Sequence, residues 1–314
     1  MKTASRIFFE SGKLLDLASR AVKLLESCSL CPRKCRVNRL AGEQGYCATG
    51  RRAKIASWGA HFGEEQPLVG THGSGTIFLA SCNLRCCFCQ NYEISHISED
   101  SYQASPAEMA EIMLELQQEG CHNINFVTPS HVVPQILESL VIAFEKGLNI
   151  PLIYNCSGYE SPETIKLLDG VIDIYMPDFK FWRPASSENY ADAADYPDVA
   201  RKAMKIMHQQ VGDLCLDELR LATRGLLIRH LLMPEALDET EQILKFIAAE
   251  ISVNTFMSIM DQYRPCGMSS MHPELNHSIT PEEWQRALLF ADKVGLRRLN
   301  QRDIGSLLNR LGII

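Results

Sequence analysis

The sequence predicts an α/β fold, a partial TIM-like (β/α)6 barrel with a cysteine-rich extension at its N-terminus. Three observations carry this. From Gly75 onward, short β-prone runs alternate six times with helical patterns. Each run closes on polar residues, as the C-terminal rim of a functional barrel would. Eight of the twelve cysteines fall in two tight groups, one before the first run and one directly after it. Six strand–helix units imply parallel strands with right-handed crossovers, too few for a closed eight-fold barrel.

The elements follow in order. Leu14, Ala18, Val22 and Leu25 recur at three-to-four spacing, which predicts an amphipathic helix over 11–27. It leads into Cys28, Cys31, Cys35 and Cys47. A Gly-rich stretch follows, with Gly59, Gly63, Gly70, Gly73 and Gly75. Residues 1–71 have too little apolar sequence for a core of their own and read as a metal-dependent extension; 72–314 read as the barrel. Strands are expected over 76–80, 123–127, 152–154, 172–176, 226–232 and 255–260. Helices are expected over 106–119, 134–146, 162–168, 196–211, 239–250 and 281–294. Several have Pro in the first turn, with Ser161 and Thr280 as caps ahead of two of them.

Composition removes other classes. With 314 residues, 46% hydrophobic and 22% charged, the chain can bury a sizeable core and is neither disordered nor a coiled coil. Apolar runs such as 140–144 and 287–291 fall far below the ~18 to 20 residues of a membrane span. The only apolar patch near the start, Ile7 to Phe9, is too short for a signal-peptide core, so a cytoplasmic location is expected. A net charge of −7 argues against a sequence-independent grip on nucleic acid. In such a chain, twelve cysteines point to metal or redox chemistry before disulfides.

The first strand is followed by Cys82, Cys86 and Cys89 in a C-x3-C-x2-C loop, which can place three thiolates on one face of a [4Fe-4S] cubane. Three ligands leave one iron open. The competing reading is a zinc knuckle that borrows Cys87 or a distant His as fourth ligand. Cys87 is adjacent to Cys86, and neighbouring side chains in an extended loop point apart, so it reads as a packed thiol.

This loop after a first strand resembles the hallmark of the radical S-adenosylmethionine superfamily. The surrounding Gly75 to Cys86 segment is similar to that of enzymes which activate glycyl radical enzymes, the pyruvate formate-lyase activating group. The likeness extends to an uncharacterised branch with a C-x2-C-P-R-x-C element, here Cys28 to Cys35, and includes 226–234 and 258–265. The resemblance implies that S-adenosylmethionine chelates the open iron. Reductive cleavage of its C–S bond then gives a 5′-deoxyadenosyl radical that takes hydrogen from a substrate. It also implies an electron donor such as flavodoxin or ferredoxin.

The strand ends carry the candidate helpers. Asp178 and Lys180 match a D-x-K pair in the activating enzymes, the Asp meeting the ammonium and the Lys the carboxylate of the cofactor. Opposite charges two apart at a strand end point the same way, so both can meet one zwitterion. Thr128 to Ser130 stands where the family has a Gly-Gly-Glu turn, a departure; by themselves Thr128 and Ser130 can equally cap the next helix. Asn155 to Gly158 and Met176 to Asp178 look like segments that hold a monovalent cation, although Asn155 replaces an Asp. His230, beside Arg229 on the fifth strand, matches a histidine near the ribose; Asp261 and Gln262 end the sixth. Phe88 matches a position whose backbone lies against adenine. Without the cysteine loop, Asp178, Lys180 and His230 would read as solvated, capping or core groups.

The four N-terminal cysteines, spaced x2, x3 and x11, suit either tetrahedral zinc or a second iron–sulfur cluster. The reading is a radical enzyme acting on a protein, with hydrogen abstraction at a Gly. The alternatives are a small metabolite or other macromolecule as substrate and, from another class, a metal-binding protein without catalysis.

Overall fold

The computed structural model describes residues 2–96 and 101–300. Among them nine strands form one sheet. β1 (Ala53–His61) pairs antiparallel with β2 (Ser74–Leu79), and β3 (Tyr102–Ala104) pairs antiparallel with β1. From β2 the sheet runs parallel through β4 (Ile124–Val127), β5 (Leu152–Cys156) and β6 (Ile174–Pro177). Past the two-residue β7 (Cys215–Leu216), an antiparallel partner of β8, it continues into β8 (Ala222–Leu231) and β9 (Phe256–Met260). The six parallel strands are neighbours in chain order, as a partial barrel requires. Every residue of β5 and β6 is buried, Asn155 included, because a parallel strand is covered on both faces.

The helices in order are α1 (Ala4–Glu10), α2 (Leu14–Lys23), α3 (Gln66–Val69), α4 (Tyr92–His96), α5 (Pro106–Gln118) and α6 (Val133–Glu145). They continue with α7 (Pro162–Leu167), α8 (Pro184–Ala191), α9 (Tyr196–Val211), α10 (Leu237–Phe246) and α11 (Pro281–Lys293). A π turn, Ile247–Ile251, extends α10. The predicted helix over 11–27 is shorter than expected, and its buried Leu14, Leu17, Ala18 and Ala21 lie on α6. Thr280 caps α11 through a capping box with Glu283. Ser161 makes no cap bond; its hydroxyl goes to Glu163 Oε2 at 2.6 Å instead.

The segment before residue 72 is tied to the barrel in several places. β1 joins the sheet between β2 and β3, and α1 is anchored by buried Asp173. That carboxylate accepts from Ser5 N–H (3.1 Å), Ser5 Oγ (2.7 Å) and Leu152 N–H (2.9 Å), so one acid holds α1 and the start of β5 together. No helix among the described residues is long and apolar enough to cross a membrane.

Candidate active site at the strand ends

The chain leaves β2 through Ser81, whose φ of 71° turns it sharply. Ser81 N–H donates to Ile94 O at 2.7 Å, closing the cysteine loop onto α4. The loop is then pinned from three further sides. Cys87 N–H donates to Tyr190 O (2.9 Å), Met268 N–H donates to Cys87 O (2.6 Å), and Asn83 Nδ2 donates to Tyr159 O (2.7 Å). Leu84 N–H donates to Cys82 Sγ at 3.3 Å, the kind of backbone bond that favours a thiolate. Burial pushes the Cys82 thiol up to about 12, and Cys89 nearby adds to the rise. Burial raises Cys86 further; Lys180 opposes the rise, while Cys89 and Cys82 add to it. The thiols are close enough to influence one another, and Lys180 acts on both Cys82 and Cys86. Cys87 has different neighbours: burial raises its thiol to about 11, and Glu274 and Cys266 are among the charges it feels. Phe88 is buried with its ring against Phe181 and Tyr263, and its carbonyl accepts from Cys266 Sγ at 3.1 Å.

Facing this loop, the ends of β5, β6 and β8 bring charges together. Asp178 Oδ2 accepts from Lys180 Nζ at 2.6 Å, and Asp178 Oδ1 accepts from Arg229 Nε at 2.8 Å. Arg229 also donates to Asn155 Oδ1 at 2.9 Å and reaches Glu64 Oε2 at 3.4 Å. Burial alone would raise Asp178, but Arg229 and Lys180 outweigh it and hold the carboxyl at about 2. Burial lowers Lys180, yet Asp178 and then Cys86 raise it above the usual range. Glu64 behaves like Asp178: burial raises it, His61 and Arg229 overcome that, and its carboxyl stays below the ordinary value. Burial keeps neighbouring Glu65 raised. Two anions and two cations therefore balance inside the barrel mouth.

Tyr196 buckles two strand ends together. Its hydroxyl accepts from Lys180 N–H (2.8 Å) and lies 2.9 and 3.0 Å from the carbonyls of Ser157 and Asp178. Gly158 is needed at this crossing, since its φ is +77° and a Cβ there would meet Asp178 O at 2.4 Å.

The structure brings Cys82, Cys86, Cys89, Asn155, Asp178 and Lys180 to one mouth. Thr128 joins through its backbone, its N–H donating to Asn155 O at 2.8 Å with φ at +63°. Ser130 caps nothing; its hydroxyl bonds the buried carboxyl of Glu160, which Tyr154 Oη also reaches at 2.9 Å. Burial raises Glu160 to about 7 despite the bonds from Ser130, Tyr154 and Cys156.

His230 is not brought to the mouth. Its Nδ1 meets Phe179 O at 2.6 Å and its Nε2 meets Thr240 Oγ1 at 2.9 Å, so the ring faces α10 with both nitrogens engaged. The reason is the two-residue period of a strand: Arg229 points inward, so His230 points outward. Arg229 pairs in register beside Asp178, and that register, absent from a motif search, is the signal that would have selected it. Glu64 and Glu160 carry no comparable cue in the sequence.

Cys28, Cys31, Cys35 and Cys47 line one small cavity of about 10 Å³, together with Arg33, Arg39, Tyr46, Asn83 and His131. Among the described residues, no three His, Cys, Asp or Glu groups stand where one metal ion could be held. This applies to both cysteine groups.

The donor set at the mouth fits an iron–sulfur cube and a zwitterion. Three thiols share one pinned loop, and buried acid and base stand opposite them, net neutral as the methionine end of the cofactor is.

A sequence model of the Radical SAM superfamily matches residues 76–247. An uncharacterised protein of Methanocaldococcus jannaschii, MJ0674, is 33% identical over 90% of this chain and 80% of its own length. A second from that organism, MJ0808, is 26% identical over 45% of this chain and 46% of its length. Among solved structures, Streptococcus suis SuiB bound to its precursor peptide SuiA shares 12% identity at a TM-score of 0.49, over 74% of this chain and 49% of that one. HydG, a maturase of the [FeFe]-hydrogenase, gives 13% and 0.48 over 71% and 50%. Methylornithine synthase (PylB) gives 13% and 0.49 over 76% and 68%. The chain spans about half the length of the first two.

Proposed function

We propose, from the premise that this chain belongs to the radical SAM superfamily, that it takes a hydrogen atom from a protein of the glycyl radical enzyme kind. Membership makes it a radical SAM enzyme whose cofactors are a [4Fe-4S] cluster and S-adenosylmethionine, and which needs a substrate and an electron donor. The observation that carries the reading is the balanced group of Asp178, Lys180, Arg229 and Glu64 opposite the thiol loop. When bound, the two cofactors supply reductive C–S cleavage and a 5′-deoxyadenosyl radical.

The chain's own residues bind, orient and exclude water. Cys82, Cys86 and Cys89 would each hold one iron of the cluster. Asp178 would accept a hydrogen bond from the cofactor's amino group, while Lys180 and Arg229 would pair with its carboxylate. Tyr196 and Gly158 keep the β5 and β6 ends at fixed separation, so these groups do not drift apart. Thr128 contributes backbone to the cofactor's amino side, Asn155 holds Arg229 in place, and Phe88 lines the adenine side.

The protein substrate rests on the D-x-K pair and the loop, which match the activating enzymes, and on an open barrel that can admit a loop of another protein. A flavodoxin or ferredoxin as donor and a cytoplasmic location belong to the same proposal, as does a second metal centre at the N-terminal cysteines. The test is anaerobic reconstitution, reduction with dithionite and addition of S-adenosylmethionine, followed by assay of 5′-deoxyadenosine. A glycyl radical enzyme deuterated at Gly should pass deuterium to that product. Cleavage with no deuterium transfer from any such protein would overturn the substrate class; absence of cleavage would overturn the enzyme reading.

A further inference from the structure

We infer that the seam where the N-terminal cysteine segment meets the C-x3-C-x2-C loop, built on Arg33, Tyr46 and Arg85, is the docking surface for the electron donor, a small acidic carrier protein. This rests on the radical SAM reading above, which requires a donor without saying where it binds. The charge of the chain is unevenly spread. From Cys28 to Lys54 stand seven Lys or Arg residues and one acid, Glu43, in a chain whose net charge is −7. The segment is a basic island on an acidic protein, whatever its four cysteines hold.

That island abuts the loop. Arg85, between Cys82 and Cys86, is exposed, and its Nη2 donates to Tyr46 O at 3.3 Å. The guanidinium of Arg85 lies 5.0 Å from the centre of the Tyr46 ring, and that of Arg33 lies 3.8 Å from it. Two cations from two segments thus share one aromatic ring, which holds like charges side by side. Arg33 is tied to the loop as well, since its Nε donates to Asn83 O at 2.9 Å. Tyr46 N–H donates to Cys35 Sγ at 3.4 Å, so the exposed Lys34 and Arg36, on either side of Cys35, flank the same seam. Asp192 is the acid there: it accepts from Tyr46 Oη at 2.8 Å and lies 3.8 Å from Arg33.

Position selects the donor over the substrate as the occupant. Asp178, Lys180 and Arg229 stand at the barrel mouth, where cofactor and substrate would meet. The seam meets the loop from the N-terminal segment instead, and a partner held there touches the loop without entering the mouth. An electron is all that crosses: the carrier is oxidised by one electron and the cluster reduced by one, with no proton or group moved. Complementary charge speeds such an encounter about 10- to 1000-fold at low salt, whereas the rest of this acidic chain would repel the carrier.

The probe is flavodoxin, an acidic carrier. Its binding to the reconstituted holoenzyme is measured by isothermal titration calorimetry, and 5′-deoxyadenosine formation is followed with either flavodoxin or dithionite as reductant. In Lys34→Glu/Arg36→Glu the dissociation constant should rise about 10-fold or more, with flavodoxin-driven formation falling in step and the dithionite-driven rate unchanged. In wild type, raising salt from about 0.05 to about 0.5 M should weaken flavodoxin binding by a similar factor. Unchanged binding in the variant, or binding indifferent to salt, overturns the inference and leaves the radical SAM reading standing. An equal loss of turnover with both reductants also overturns it, because the charges would then serve the loop itself. No 5′-deoxyadenosine from wild type with dithionite overturns the reading on which the inference rests. If the charge-reversed chain does not fold, Lys34→Gln/Arg36→Gln and the salt series decide.

Discussion

The two cysteine groups solve opposite problems with the same side chain. The loop group supplies three thiols on a tether pinned by α4, Tyr190 and Met268, and faces an acid and two bases across the barrel mouth. The N-terminal group supplies four thiols in a wall that also carries Arg33, Lys34 and Arg39, with Arg39 Nη1 3.9 Å from Cys28 Sγ. Three thiolates would leave a cluster one position open toward the buried ion pairs opposite. Four thiolates would complete a metal's coordination with no further ligand. Ligand number and the charges around it, more than the cysteines, separate the two roles.

The largest expected effect breaks the comparison at its reactive end. Cys86→Ala should reduce 5′-deoxyadenosine formation to background, measured by chromatography, whereas Cys35→Ala with dithionite as donor should retain it. Next, Asp178→Asn leaves Lys180 and Arg229 without their shared carboxylate. Affinity for S-adenosylmethionine should fall about 10- to 100-fold and stability by about 3 kcal/mol, by equilibrium dialysis and urea unfolding. The pH dependence has a definite sign. Asp178 is held at about 2 in the fold, below its ordinary 3.8, so its stabilisation is present above 3.8 and lost as pH falls toward 2.

Glu160 titrates in the other direction. Its folded value near 7 lies above the ordinary 4.5, so the fold favours the protonated acid and stability drops as pH rises from 4.5 to 7. The drop amounts to about 3 kcal/mol, and Glu160→Gln should flatten it in urea titrations across that range. The smallest effect on function is expected at His230. His230→Leu strands Phe179 O and Thr240 Oγ1, costing about 1 to 3 kcal/mol by thermal unfolding, with cofactor affinity unchanged.

The parallel strands were legible because burial on both faces leaves an apolar run such as 152–154. β1 was not. Its residues alternate between core and solvent, Trp58 is 42% exposed, and Gly59 interrupts the run, so an antiparallel strand reads as loop. At the site, the D-x-K pair was legible because both charges lie on one strand. Arg229 was hidden, since only the pairing of β6 with β8 sets it against Asp178. Arg39 was hidden for a related reason: no local pattern announces that an arginine after Cys35 will be buried whole.

The central claim is that one iron of the loop cluster lacks a protein ligand and takes the cofactor's amino and carboxylate groups. Electron–nuclear double resonance on reduced, reconstituted protein with S-adenosylmethionine labelled with nitrogen-15 and oxygen-17 at those groups measures this directly. Hyperfine coupling of both labels to the cluster is expected, and its loss in Asp178→Asn should track the weakened affinity. A reduced, intact cluster that binds S-adenosylmethionine with no coupling to either label would contradict it.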